Sequence, residues 1–187
     1  MAVDRYSHDV LRSRFVLYRD SEIAVRNLRN EVNLPIRGQN PPEDITENIV
    51  KFILRKNGDN TCVWAKCVGR PGDLFSEKEG VQEVKAFTSD GPCSFGPDKE
   101  FKVIYFLDMR NYLSDKFVLW RFAVTNESPE WKGLRVSVAE TFNDQATQGR
   151  RPHIGFVKIY EQLKDVRTSS GVPLCTKVYD GPFEGIF

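Results

Sequence analysis

Two carboxylates and an amine are spaced closely near the middle of the chain. Asp73 follows a turn made by Arg70-Pro71-Gly72, nine residues separate it from Glu83, and Lys85 comes two positions after Glu83. The run from Val81 to Phe87 ends in apolar residues and favours a strand. Side chains two apart on a strand point to the same face, so we expect Glu83 and Lys85 to share a face on which Asp73 converges.

This combination suits metal-assisted hydrolysis of a phosphodiester. Mg²⁺ prefers oxygen ligands and keeps several waters, so one or two carboxylates and the phosphate oxygens of a substrate suffice to hold it. The metal acidifies water, and a nearby ammonium group stabilises charge in the transition state. We therefore expect Asp73 and Glu83 to be the ligands of Mg²⁺ and Lys85 to be the cation beside the nucleophile. Spacing alone leaves a second interpretation open, a solvated strand face with alternating charges.

The composition bounds the other possibilities. A chain of 187 residues forms one domain, or at most one with a small appendage, and can bury a full core. Its net charge of +1 gives no global field that favours nucleic acid, although a local basic face can exist within a neutral total. The first twenty residues are charged and hold no apolar core, and no run is long enough to span a membrane. We expect a soluble, cytoplasmic protein with no membrane partner and four reduced cysteines.

Two helices and a set of strands are expected to position the motif. Apolar residues recur at helical spacing over about 7–32, and again from 42 or 43 to 55 or 56. Residues 62–67 form a strand or a short connector. A hairpin is predicted over 73–76 and 81–87, strands over 102–108 and 116–125, short helices over 138–145 and 156–163, and a turn-rich tail of unclear structure over 171–187. This order predicts an α/β or α+β domain with a central mixed sheet.

Taken together, these residues resemble the PD-(D/E)XK nuclease superfamily. Pro71-Gly72-Asp73 corresponds to the PD half of its motif with one glycine inserted, and Glu83-Val84-Lys85 corresponds to the EXK half. The superfamily motif alone is degenerate. The longer string from Glu83 to Pro97, with Phe87-Thr88-Ser89 and Ser94-Phe95-Gly96-Pro97, is far more specific. It is similar to the small type II restriction endonucleases that cut GC-N-GC sites.

Further segments extend this resemblance over about residues 36–163. They are Arg37-Gly38 with Pro42-Glu43-Asp44-Ile45-Thr46-Glu47, the strand Ile104-Tyr105-Phe106-Leu107-Asp108, and Gln148-Gly149-Arg150-Arg151-Pro152. The resemblance implies one nuclease domain over 1–187. Its N-terminal helices cover about 7–56, its catalytic sheet about 62–125, and a DNA-recognising, helical part about 126–187.

The resemblance also implies a fold and a site. The fold is a restriction-endonuclease-like mixed sheet flanked by helices, with the two carboxylates on adjacent central strands. Mg²⁺ is held by Asp73, Glu83 and the backbone carbonyl of Val84, and hydrolysis leaves a 5′-phosphate. Many members add a glutamate from an early helix. Glu47 matches that place, and the alternative is that it is a solvated helix residue.

Two segments are candidates for DNA contact. Thr88 and Ser89 directly follow the catalytic strand, where small hydroxyls reach phosphates or base edges, whereas Asp90-Gly91 is ordinary turn chemistry. A second, polar and basic segment could recognise bases in the major groove, or could be a hydrophilic surface loop. Its residues are Gln145, Gln148, Arg150, Arg151, His153 and Lys158.

The leading hypothesis is a Mg²⁺-dependent type II restriction endonuclease that cuts duplex DNA at a short palindromic or interrupted-palindromic site. A two-fold symmetric site matches a symmetric homodimer, and a cognate DNA methyltransferase acts on the same site. A second hypothesis is a repair nuclease or junction resolvase that cuts by DNA structure. A third is a non-catalytic DNA-binding module on the same fold, against which the intact Asp73, Glu83 and Lys85 argue.

Overall fold

The computed structural model describes residues 4–36, 38–96 and 99–187. Arg37 and Pro97, which belong to the motifs quoted above, lie outside the described residues. Both predicted N-terminal helices are confirmed, as α1 (His8–Val32) and α2 (Glu43–Lys56). The Ser7 side chain caps the start of α1, and acidic residues in the first turn of α2 complement its dipole.

A six-stranded mixed sheet forms the centre of the protein. Its strands along the chain are β1 (Val63–Trp64), β2 (Leu74–Ser76), β3 (Gly80–Phe87), β5 (Val103–Asp108), β6 (Phe117–Phe122) and β8 (Cys175–Gly181), and they lie in this spatial order. β3 and β5 pair in parallel, and the other neighbours are antiparallel. A separate two-stranded sheet pairs β4 (Pro92–Ser94) with β7 (His153–Gly155). The predicted central mixed sheet flanked by helices is confirmed.

The shorter elements refine two expectations and correct a third. The connector over 62–67 holds β1 and the one-turn helix α3 (Ala65–Val68). A helix over 138–145 is wrong, because the side chain of Thr141 caps the helix and α5 runs over Phe142–Thr147. The tail that had no assigned structure contains β8 and a 3-10 turn, Phe183–Ile186. The other short helices are α4 (Pro129–Lys132) and α6 (Phe156–Leu163), and the latter was predicted.

The central strand β5 separates two hydrophobic cores. Its residues alternate between them, with Val103, Tyr105 and Leu107 in one core and Ile104 and Phe106 in the other. Because successive side chains on a strand point to opposite faces, a strand with both faces covered must be apolar throughout. The first core is closed by α1, α2 and the C-terminal segment, and the second by aromatic residues from α4, α5 and α6. No helix among the described residues is long and apolar enough to cross a membrane.

A buried ion pair fastens the segment before α1 to α2. Lys51 is fully buried, and its Nζ donates to Asp4 Oδ2 and to the carbonyl of Tyr6, both at 2.9 Å. Burial lowers the pKa of Lys51. Burial alone would raise the pKa of Asp4, but hydrogen bonds from Lys51 and the Trp64 backbone hold it below its ordinary value. The ammonium group therefore depends on the Asp4 carboxylate.

Replacing Asp4 by Asn should lower the free energy of unfolding by roughly 3 kcal/mol, because it leaves the buried Lys51 charge without its partner. Urea unfolding at neutral pH measures this. Asp20→Asn, at an exposed position in the middle of α1, is the matched control and should change little. The double change Asp4→Asn with Lys51→Met should recover part of the loss. An equal, small effect of both Asp→Asn changes would contradict the prediction.

Candidate active site

Gly72 sets the position of Asp73. Its φ is +84°, and a Cβ at this position would lie 2.6 Å from Cγ1 of Val81 and 3.1 Å from the carbonyl oxygen of Gln82. A glycine is therefore required by both conformation and space. The backbone N–H of Asp73 then donates to the carbonyl of Gln82 at 3.0 Å, which places the carboxylate at the open end of the β2–β3 hairpin.

The three residues of the sequence motif meet at one place. Asp73 Oδ2 accepts a hydrogen bond from the backbone N–H of Val84 at 2.8 Å, although Asp73 comes just before β2 and Val84 lies on β3. Lys85 Nζ lies 2.6 Å from Glu83 Oε1, so these two side chains share a face of β3. The convergence of Asp73, Glu83 and Lys85 that the spacing predicted is present in the structure.

A fourth residue, Lys99, belongs to the same cluster. Its Nζ lies 3.0 Å from Glu83 Oε2 and 3.4 Å from Asp73 Oδ1, so one ammonium group bridges the two carboxylates. Sequence reasoning missed this residue. No sequence motif indicates a role for Lys99, because its partners Asp73 and Glu83 are 26 and 16 positions away in the chain.

The pKa shifts show how strongly negative charge is crowded here. Burial and then the charge of Glu83 raise the pKa of Asp73, against the Val84 N–H and the lysines. Burial would lower the pKa of Lys99, but the charges of Glu83 and Asp73 outweigh it and raise that pKa. The charges of these two buried carboxylates are therefore balanced by nearby cations, Lys99 for both and Lys85 for Glu83.

Glu47, on α2, is buried and lines the same cleft as Asp73. Its Oε2 accepts a hydrogen bond from Trp64 Nε1 at 2.5 Å, and its Oε1 lies 3.3 Å from Lys66 Nζ. Burial and the charge of Asp73 raise its pKa to about 7. The solvated-helix alternative is therefore wrong for Glu47. Its catalytic role stays a prediction.

A chain of clefts continues from the carboxylates across the surface. The first has a volume of about 320 Å³ and is lined by Glu47, Asp73, Lys85, Lys99 and Arg151 among others. The second shares Lys85 with it and holds Thr88 and Ser89, and a third shares Thr88 and Ser89 and ends at Arg26 and Arg29 of α1. We call these three clefts the groove.

The predicted DNA-contact residues divide into two sets. Thr88, Ser89 and Arg151 line the groove. The others are outside the lining of these clefts. Gln145 Nε2 donates to Glu140 at 2.9 Å, Arg150 is also paired with Glu140, Lys158 Nζ donates to the carbonyl of Val136 at 2.8 Å, and Gln148 and His153 are exposed. Contact of either set with DNA stays a prediction.

The donors at the site suit a hard cation. Among the residues that the structure describes, no three His, Cys, Asp or Glu side chains are grouped to hold a metal ion. The cluster offers instead two carboxylates that repel one another, next to the backbone of Val84 in the same cleft. Oxygen ligands in this number fit a cation that keeps part of its water shell, as Mg²⁺ does.

Comparison with known proteins identifies the family. The model of the Bsp6I restriction endonuclease family matches residues 12–162. The chain belongs to the Bsp6I restriction endonuclease family. It is 24% identical over 178 residues to the type II restriction enzyme Bsp6I of Bacillus sp. (strain RFL6), a match that covers 94% of this chain and 92% of that enzyme. No solved structure matches.

Membership of the Bsp6I family confirms the predicted class of enzyme. The chain is a type II restriction endonuclease, a hydrolase that acts on DNA. Type II restriction endonucleases generally need a divalent metal, in agreement with the charge crowding around Asp73 and Glu83. The family match spans both halves of the motif and Lys99, and it ends before β8.

Replacing Lys99 by Met should strengthen the binding of a divalent cation, because the ammonium group competes for both carboxylates. The melting temperature of the variant should be lower than that of the wild type in EDTA, and Ca²⁺ should raise it further than it raises that of the wild type. Thermal unfolding with EDTA and with Ca²⁺ measures both effects. Lys102→Met, exposed just before β5, is the control. An equal response of all three proteins to Ca²⁺ would refute the competition.

The buried Glu47 should also make stability depend on pH in the absence of divalent cations. Its pKa is raised from 4.5 to about 7 on folding, so the folded state holds a proton that the unfolded chain has released between these values. The free energy of unfolding should therefore fall as the pH rises through this window. Glu47→Gln should flatten the slope, and Glu130→Gln, at an exposed position, should leave it unchanged. Urea unfolding in EDTA at several pH values tests this.

Proposed function

We propose that the chain is a Mg²⁺-dependent endonuclease of the PD-(D/E)XK fold that hydrolyses duplex DNA at a short palindromic or interrupted-palindromic site. The observation that carries the proposal is the convergence of Asp73, Glu83 and Lys85 in a chain of a restriction endonuclease family. The similarity of the segment from Glu83 to Pro97 to enzymes that cut GC-N-GC sites supports that site. The products carry 5′-phosphates.

The proposed metal ligands are oxygen atoms of β3 and of Asp73, the residue before β2. Asp73, Glu83 and the backbone carbonyl of Val84 would hold Mg²⁺, which supplies neutralisation of phosphate charge and acidification of water. The N–H of Val84 holds one Asp73 oxygen in place, at 2.8 Å. The carboxylate is thereby oriented before any ligand arrives, which reduces the reorganisation that the reaction requires.

The lysines and Glu47 supply the remaining charges. Lys85, held 2.6 Å from Glu83 Oε1, is positioned to orient the attacking water and to stabilise charge on the phosphate. Lys99, once it no longer neutralises the carboxylates, becomes a cation available to the same phosphate. Glu47, with a pKa of about 7, accepts or returns a proton near neutral pH.

The groove is the proposed path of the DNA backbone. Thr88 and Ser89 present hydroxyl groups next to Lys85, and Arg151 brings a guanidinium group to the same cleft as the carboxylates. Contacts of this kind hold a duplex in register, and base edges must be recognised elsewhere. Gln145, Gln148, Arg150, His153 and Lys158 are the proposed residues for this recognition, after release of Gln145 and Arg150 from Glu140.

Symmetry of the site implies partners for the enzyme. Two copies related by a two-fold axis place one catalytic centre on each strand of a palindromic duplex, so we propose a homodimer. A DNA methyltransferase that modifies the same site protects the DNA of the cell from cleavage. The proposed location of the endonuclease is the cytoplasm.

Cleavage of an unmethylated phage or plasmid genome tests the function. With Mg²⁺ the wild type should give discrete fragments whose sequenced ends share one short motif, and EDTA should abolish them. Asp73→Asn, Glu83→Gln and Lys85→Met should each slow cleavage by roughly a hundredfold or more, because each removes a charge from the reacting centre. Ligation of the fragments should require no added phosphate, since 5′-phosphates are expected.

Two exposed variants serve as controls for the same experiment. Glu130→Gln and Lys78→Met make the same chemical changes at exposed positions outside the cluster, and these variants should cut DNA as the wild type does. Fragments without a common motif would favour a nuclease that recognises DNA structure. Absence of Mg²⁺-dependent cutting by a folded wild-type protein would overturn the proposed chemistry.

A further inference from the structure

The outer face of α1 carries apolar residues that nothing in the chain covers among the described residues. The inner face buries Leu11, Phe15, Tyr18 and Glu22 against the body of the protein. On another face the exposed fractions are 41% for Val10, 65% for Leu17, 47% for Leu28 and 42% for Val32. Scattered exposed apolar residues need no explanation, but a row along one helix face favours an interface.

The spacing of this row is that of a coiled coil. Six exposed residues follow one another at alternating intervals of three and four positions, the a/d repeat of paired helices. They are Arg14, Leu17, Ser21, Ala24, Leu28 and Glu31. The series reads the same in character from either end, as charged, Leu, small, small, Leu, charged. We call it the α1 seam.

We propose that the α1 seam is the surface on which two copies of this chain pair, antiparallel, with Leu17 of one copy against Leu28 of the other. This register places Ser21 against Ala24 near the two-fold axis, where small side chains allow the helices to approach. It also places Arg14 against Glu31 of the second copy. The inference rests on the proposed dimer and assigns the surface that joins it.

The charges at the two ends of the α1 seam favour antiparallel pairing and a second copy of this chain as the partner. A parallel pair in register would set Arg14 against Arg14 and Glu31 against Glu31, and like charges in contact destabilise. The antiparallel pair sets opposite charges together twice, and it is closed and isologous. Arg14 already bonds Asp44 through Nε and Nη2, so the second carboxylate would join the pair at a guanidinium group that is fixed in place.

The same helix also borders the groove. Arg26 and Arg29 line its third cleft together with Thr88 and Ser89. Pairing along α1 would therefore relate the grooves of two copies by one two-fold axis, which presents one candidate site to each strand of a palindromic duplex. One helix pair buries less than the roughly 1,200 Å² of a standard interface, so association through the seam alone should depend on concentration.

A cysteine cross-link tests the register directly. On oxidation, a mixture of Leu17→Cys and Leu28→Cys proteins should form a disulfide-linked dimer, because the two positions face each other. Each variant alone should form no more disulfide-linked dimer than the wild type, whose native cysteines set the background. The two copies of position 17 would lie about 16 Å apart along the helices, as would the two copies of position 28, and this is too far for a disulfide. Cross-linking of Leu17→Cys alone, or none in the mixture, would overturn the proposal.

Sedimentation velocity tests the surface without new cysteines. Leu17→Glu with Leu28→Glu should raise the dissociation constant of the dimer at least tenfold. Ile23→Glu, at 39% exposure on another face of α1, should leave it unchanged. Circular dichroism checks that each variant is folded. Equal association of all three proteins would overturn the proposal.

The two proposals can fail separately. A 17–28 cross-link in a protein that cuts no DNA would uphold the seam and remove the proposed function. Sequence-specific cutting without the cross-link would uphold the function and remove the seam.

Discussion

The hydrogen bond between the N–H of Val84 and the carboxylate of Asp73 is the interaction on which the candidate active site depends. It joins the two halves of the motif across the β2–β3 hairpin, whose register therefore sets the distance between Asp73 and Glu83. A slip of one residue would turn Glu83 and Lys85 to the opposite face. Parallel pairing of β3 with β5 holds that register, because residues 103–107 of β5 each lie in one of the two cores. The hydrophobic interior thus determines where the charges stand.

Burying the carboxylates of this site lowers the stability of the fold. Burial raises the pKa of Asp73 and of Glu47, and the charge of Glu83 adds to this shift at Asp73 as the charge of Asp73 does at Glu47. Lys99, which bridges Asp73 and Glu83, and Lys85, which lies beside Glu83, relieve part of this repulsion. Buried carboxylates of raised pKa that lie in a cleft are typical of functional sites, since they are ready to exchange one positive charge for another. The same arrangement as a mere structural ion pair would gain little over apolar packing.

Strong periodicity made much of the fold predictable. The helices α1 and α2, the hairpin and β5 have clear apolar repeats, and the spacing of Asp73, Glu83 and Lys85 indicated their convergence. β8 was missed because its residues are only half-buried at the far edge of the sheet and lie among turn formers. The error before α5 came from apolar residues that precede the cap at Thr141. Lys99 was missed since its contacts join residues distant in sequence. The α1 seam was missed because its apolar pattern is weaker than that of the buried face of the same helix.

The contact between α1 and the segment after β8 bears on when the enzyme becomes active during its synthesis. Phe15 stacks on Phe183 with ring centroids 4.3 Å apart, and Lys56 Nζ donates to the carbonyl of Gly185 at 2.6 Å. The first core therefore closes only after residues near 183 have left the ribosome, however early α1 and α2 emerge. Contacts between residues so distant in sequence also slow folding. Asp73, Glu83 and Lys85 therefore leave the ribosome before the sheet and core that hold them together are complete.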